Sequence, residues 1–205
     1  MQIYNATDKY TPYGGLIIIE QLFKSKGISS LINTTLGSRG LYSKFTFSDI
    51  LQSIICSQLS NGSAIEDIHE LKKKNLEASF SICSADTALN TLKQLAIPNE
   101  AHITQDGSSV MLINHHPTLN NLLFTMAIKT KLLVPNVGYC VDMDTTILPN
   151  DKEDANFAYN KQKGYNPLLA AVGSIPIYIE GRSGNTSPAY GLLDALKKIH
   201  QNFKD

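Results

Sequence analysis

Gly138-Tyr-Cys-Val-Asp142-Met-Asp144-Thr-Thr146-Ile-Leu148 decides how this chain is read, because it has the composition of a β-strand yet carries two carboxylates. Strand side chains alternate between faces, so Asp142, Asp144 and Thr146 share one face and Val141, Met143 and Thr145 the other. Asp is depleted in strands, and two like charges this close repel unless water or a cation lies between them. The expectation is a divalent metal site with Asp144 and Asp142 as ligands. Hard oxygen donors suit Mg²⁺ or Mn²⁺, and two carboxylates leave coordination positions open for water and phosphate oxygens. The plainer alternative is an edge strand whose solvated face holds the carboxylates for structural reasons.

Beyond this strand, Lys161-Gln-Lys163-Gly-Tyr-Asn-Pro167 leads into Leu168–Val172, a short apolar run, and Ile175–Ile179 is another. Gly173-Ser174 between the runs is turn chemistry, so a hairpin is expected. Thr186-Ser187-Pro188 reads as a helix start with a hydroxyl cap and Pro at the first helical position. Leu192, Leu193, Leu196, Ile199 and Phe203 then recur at helical spacing. The expected order is strand, strand, strand, helix.

The preceding part reads as helical. Helices are expected over Leu16 to Phe23, Ile28 to Leu36 and Phe47 to Leu59, the last capped by Thr46 or Ser48. Ser63-Ala-Ile-Glu66 has the pattern of a capping box for a helix through Leu71. Further helices are expected from Ser84 to Leu95 and from Pro117 to Leu132, with His115-His116 as the lead-in to the latter. The pair Phe47–Leu59 and Ser63–Leu71 has helix-turn-helix spacing, but Glu66, Asp67 and Glu70 on its second member oppose phosphate, and any bundle contains such pairs. The Ser84–Leu95 helix, with Asn90, Lys93 and Gln94, is a second candidate for DNA contact. Residues 131–138, with Pro135 and Gly138, form the expected boundary between the helical and β-rich parts.

Asp142-Met-Asp144-Thr-Thr146, Lys163-Gly-Tyr-Asn-Pro167, Glu180-Gly-Arg-Ser-Gly-Asn185 and the opening Asn5-Ala-Thr-Asp-Lys-Tyr-Thr-Pro-Tyr-Gly-Gly15 together resemble the DDE transposases of bacterial insertion sequences. The resemblance implies an α+β chain. An all-α helical domain over 1–135 would precede, over 136–205, the first three antiparallel strands and helix of an RNase H-like catalytic core. In that family the first metal-binding carboxylate stands in an Asp-x-Thr context, which Asp144 with Thr146 matches and Asp142 neighbours. It implies Mg²⁺ or Mn²⁺ as cofactor, DNA at the element's ends and at the target as partner, and a homodimer or a full-length transposase as protein partner. It also implies strand cleavage followed by strand transfer.

The chain departs from the family where two-metal catalysis needs further carboxylates. The family's second lies on a strand just past the helix that ends here near Phe203, and its third, a Glu, lies later, so the ligand count implies a fragment without activity of its own. Asp205 and Glu180 are conceivable stand-ins outside the family context. Two alternatives remain. One is a non-catalytic remnant that binds DNA or a full-length partner. The other is an Asp-nucleophile phosphotransferase of haloacid-dehalogenase type, with Asp142 phosphorylated and Asp144 as acid and base. That second chemistry calls for a parallel sheet with crossover helices, for which the residues after Pro149 leave little room.

Composition sets the outer bounds. With 205 residues, 42% of them hydrophobic, the chain can bury a core, and no stretch approaches a membrane span or a signal peptide, so a cytoplasmic protein is expected. The three cysteines, Cys56, Cys83 and Cys140, have no metal or disulfide spacing and are expected to be buried thiols. Eighteen Lys and Arg balance eighteen Asp and Glu, and neither half departs from balance: eleven against ten over 1–135, seven against eight over 136–205. Contacts to phosphate are therefore sought in local clusters. Lys161, Lys163 and Arg182 flank the hairpin and are expected to converge on DNA, with Lys72-Lys73-Lys74 as a weaker candidate set.

Overall fold

The computed structural model describes residues 12–73, 80–104 and 107–203 and divides into two compact units, Met1–Ala96 and Ile97–Asp205. In the first unit the helices are α1 (Leu16–Ser25), α2 (Ile28–Leu36), α3 (Phe47–Leu59), α4 (Ile68–Lys73) and α5 (Ala85–Leu95). Leu16, Ile50, Cys56, Ile68, Leu71 and Ala88 form its core, the apolar positions that helical spacing singles out. Thr46 opens α3 by a reciprocal cap with Asp49, and Ser84 opens α5 by accepting from the Thr87 amide. Before α4 the carboxylate that satisfies the Ser63 and Ala64 amides is Asp67, through a 3₁₀ turn over Ile65–Asp67. Glu66, expected in that role, does not fill it.

The second unit begins with a hairpin that the sequence did not announce, β1 (Glu100–Ile103) and β2 (Val110–Asn114), followed by α6 (Pro117–Lys129). Then come β3 (Asp142–Thr145), β4 (Leu148–Pro149), β5 (Asn156–Phe157), β6 (Lys163–Tyr165), β7 (Leu168–Val172), β8 (Ile175–Arg182) and α7 (Leu192–Asn202). Two antiparallel sheets result: a five-stranded one in the order β1-β2-β8-β7-β3 and a small one in the order β4-β6-β5. The chain is thus α+β. The expected β7–β8 hairpin forms around Gly173, whose φ of 59° suits glycine in the turn. Among the described residues no helix is long and apolar enough to cross a membrane.

The helical part ends earlier than residues 131–138, and the reason is α6. Where β2 stops at Asn114, the Asn120 side chain takes over as a strand would, accepting from the Ile179 amide at 2.7 Å and donating to the Ile179 carbonyl at 2.9 Å. Phe124 and Ala127 of α6 join Leu168, Ala170, Ile177, Tyr178, Ala195 and Ile199 in one core. The start of α7 also differs from expectation. Pro188 opens a turn in which the Tyr190 amide donates to Ser187, and Gly191 at φ 66° precedes a helix that begins at Leu192.

Gly184 packs where two segments of the second unit meet. A Cβ there would overlap the carbonyl oxygens of both Asn156 and Gly164, which are backbone atoms and cannot swing aside. Gly184→Ala is expected to destabilise the unit by about 2 kcal/mol or more, as overpacking does. Urea unfolding read by tyrosine fluorescence tests this against Gly138→Ala, where a Cβ meets nothing within 4 Å. Equal midpoints for the two variants would refute it.

Candidate functional site

β7 fixes the register of the carboxylate strand, with Asp142 opposite Ala171 and Asp144 opposite Leu169. Asp142 and Asp144 are exposed and Met143 and Thr145 are half-buried, the alternation a strand imposes. Met143 packs against the core on the inner face of the sheet. Asp144 is held locally, because Oδ1 accepts from the Thr145 amide at 2.7 Å. Its cross-strand neighbours Leu169 and, one strand further, Ile179 are 43% and 49% exposed, so among the described residues the outer face is open beside Asp144.

Asp142 and Asp144, both exposed on one strand face, are the residues that could hold a hydrated divalent cation. They do not make a two-metal centre. No group of three or more His, Cys, Asp or Glu that could hold a metal occurs among the described residues. Glu180 cannot join the pair, because the ladder Thr145, Leu168, Glu180 puts it on the inner face, opposite to Asp144. Asp205, the other conceivable stand-in, lies outside the described residues.

One step along the outer face, the Thr146 amide donates to the Pro167 carbonyl at 3.3 Å, and Pro167 and Gly181 line a cavity of about 330 Å³. Asn99, Asn114, Asp154, Tyr165, Arg182 and Ser183 are its polar lining residues. The Tyr165 hydroxyl donates to Asp154 Oδ1 at 2.8 Å, a bond that pushes the phenol pKa up. Strand rise sets this step at about 7 Å from Asp144.

The three cations expected to converge on DNA do not act together. Lys161 is exposed in the turn before β6, at φ 65°, and Lys163 Nζ donates to the Asp151 carbonyl at 3.4 Å. Arg182 is only 2% exposed and belongs to a buried network on the inner face. Its Nε donates to Glu180 Oε1 at 2.8 Å and its Nη1 to the Tyr190 carbonyl at 2.8 Å. Nη2 stands 2.8 Å from the same Glu180 oxygen, an ion-pair distance without hydrogen-bond alignment. The Tyr178 hydroxyl donates to Glu180 Oε2 at 2.7 Å, and Lys198 of α7 is 3.6 Å from that oxygen. Burial and then Glu180 push the Tyr178 pKa up, while burial and then Lys198 push that of His115, stacked on the Tyr178 ring, down. Arg182 is thus corrected from a phosphate contact to a brace between β8 and the segment before α7.

This network was within reach of the strand period. Tyr178, Glu180 and Arg182 sit at alternate positions of one strand, and a carboxylate between a phenol and a guanidinium on the same face pairs with both. Of the lysine triplet, Lys73 pairs with Glu70 at 2.6 Å and Lys74 lies outside the described residues. Cys56 and Cys83 are buried, with burial pushing Cys56 up to about 11, but Cys140 is exposed, against expectation. His116 caps α6, its Nδ1 accepting from the Leu119 amide at 3.3 Å, as the lead-in role requires.

No protein-family model, curated protein or solved structure matches this chain.

Proposed function

We propose that the chain carries the leading metal-binding carboxylates of a DDE-type transposase, with β3, β7, β8 and α7 as the opening of an RNase H-like core. The observation that carries this reading is the outward row of Asp142, Asp144 and Thr146 on a strand that leads an antiparallel β3-β7-β8 ladder. Asp144 is the principal ligand of Mg²⁺ or Mn²⁺ and Asp142 the second. The bound ion would supply charge neutralisation at a phosphodiester and activation of the attacking oxygen. The chain's own residues do the rest. The Thr145 amide orients Asp144, and the cavity beside Pro167 and Gly181 receives the nucleotide unit next to the phosphate under attack. The partners are the DNA of element ends and target and a second transposase protomer, in the cytoplasm where bacterial DNA lies.

The phosphotransferase alternative loses ground on this geometry. Its nucleophile strand belongs to a parallel sheet, whereas β3 pairs antiparallel with β7 and every paired strand among the described residues is antiparallel. The non-catalytic remnant is separated from the transposase by metal binding. In a ¹⁵N-labelled sample, substoichiometric Mn²⁺ should broaden the amide signals of residues 142–146 first, and Asp142→Asn/Asp144→Asn should remove that selectivity. Broadening spread evenly over the exposed carboxylates would sink the metal assignment.

A further inference from the structure

The loop between α2 and α3 displays the two most exposed large apolar side chains of the described residues, Leu41 and Tyr42, both fully exposed. They are held out on a fixed base. The Ser43 amide donates to the Gly40 carbonyl at 2.8 Å, which makes Leu41 and Tyr42 the central residues of a closed turn. Below it, Arg39 Nη1 donates to the Phe45 carbonyl at 3.2 Å, Phe45 packs on the core of the first unit, and Thr46 caps α3. Apolar groups held in water add nothing to folding, whereas a tip ordered in advance loses little entropy on binding.

Charge selects the occupant. Arg39 and Lys44 flank the tip, one on each side, and residues 21–48 hold Lys24, Lys26, Arg39 and Lys44 without one Asp or Glu. Lys24 is engaged by Glu20, and Lys44 Nζ stands 5.5 Å from the centre of the Phe45 ring. Arg39 Nε is buried without a hydrogen-bond partner, and the guanidinium keeps donor capacity beyond its one bond to Phe45. Arg39 lines a cleft of about 300 Å³ together with Ser38 and Ser43, whose hydroxyls can donate to a phosphodiester oxygen. We propose that the Gly37–Phe45 loop is a duplex-DNA contact, with Arg39 and Lys44 on phosphates and Leu41-Tyr42 wedged into the minor groove between them. Apolar wedges flanked by basic side chains are how minor-groove proteins unstack a base step and bend the duplex. An apolar protein groove would take the tip but leave the charges of Arg39 and Lys44 uncompensated.

The contact needs no metal and is independent of Asp142 and Asp144. Residues 1–205 are titrated in EDTA onto a short A·T-rich duplex, with affinity read by fluorescence anisotropy and bending by energy transfer between dyes at its ends. The chain should bind and bring the ends closer. Leu41→Ser/Tyr42→Ser should weaken binding about tenfold or more and abolish the bend. Lys44→Ala should lower the logarithmic salt slope by about one. Arg39→Ala should do the same, and circular dichroism checks that loss of its bond to Phe45 leaves the fold intact. No binding in EDTA overturns the proposal, as does binding that neither the tip nor the Lys44 substitution alters, or capture by the loop of a protein partner but not of DNA. The Mn²⁺ titration is made without DNA, so failure here leaves the metal assignment to stand or fall by itself.

Discussion

Arg182→Ala should destabilise the second unit by about 3–5 kcal/mol, the usual cost of removing one member of a buried ion pair and leaving the other charge unpaired. Glu180 is 4% exposed and loses two nitrogens within 2.8 Å, and the Tyr190 carbonyl loses its donor, which frees the segment before α7. Lys198, at 3.6 Å, is the one cation near enough to compensate among the described residues. Urea unfolding followed by tyrosine fluorescence measures the loss. Replacing both partners, Glu180→Gln/Arg182→Met, should cost less than Arg182→Ala alone, because no isolated charge is left behind. Lys161→Ala and Lys163→Ala, at exposed or half-exposed positions, should each stay within about 0.5 kcal/mol of the parent. If Arg182→Ala costs under about 1 kcal/mol, Lys198 has taken over the carboxylate and the brace is not Arg182.

That contrast marks what the sequence could and could not convey. Helical spacing placed α1, α3 and α5 nearly to the residue, because Leu16, Ile50 and Ala88 face one core and Thr46 and Ser84 have cap chemistry, and it placed α2 through its buried Ile28 and Ile32. The β7–β8 hairpin was equally legible from two apolar runs around Gly173. β1 and β2 were not. Glu100–Ile103 is mostly exposed and β2 is only five residues long, so neither shows a strong period. β4 and β5, two residues each, exist only through their pairing with β6. The boundary was displaced because α6 looks like a helix of the preceding bundle until Asn120 is seen to complete the edge of β8. In sequence, a guanidinium next to Gly and Ser reads as part of an exposed turn, which is why Arg182 looks like a surface cation. Only the strand's reach to Arg182 turns that side chain inward.

Asp144→Ala should abolish metal-dependent strand cleavage, a loss of about a thousandfold or more if the ion contributes several kcal/mol to the transition state. DNA binding should persist, because the contacts proposed for phosphate and groove lie in the α2–α3 loop. The assay uses the longest product of the gene that contains this chain, with DNA carrying the element's ends and Mg²⁺ or Mn²⁺. Asp142→Ala should reduce cleavage less, since Asp144 has the Thr145 amide to orient it and Thr146 two places on, whereas Asp142 is the auxiliary donor. Asp151→Ala, an exposed carboxylate outside the row, serves as control and should cleave like the parent. Undiminished cleavage by Asp144→Ala would remove it from the centre. Hydrolysis of a simple phosphomonoester that disappears with Asp142→Asn would instead make Asp142 a nucleophile. The antiparallel pairing of β3 argues against that result: residues 168–171 run back along the paired edge of β3, where a phosphotransferase would place a parallel strand.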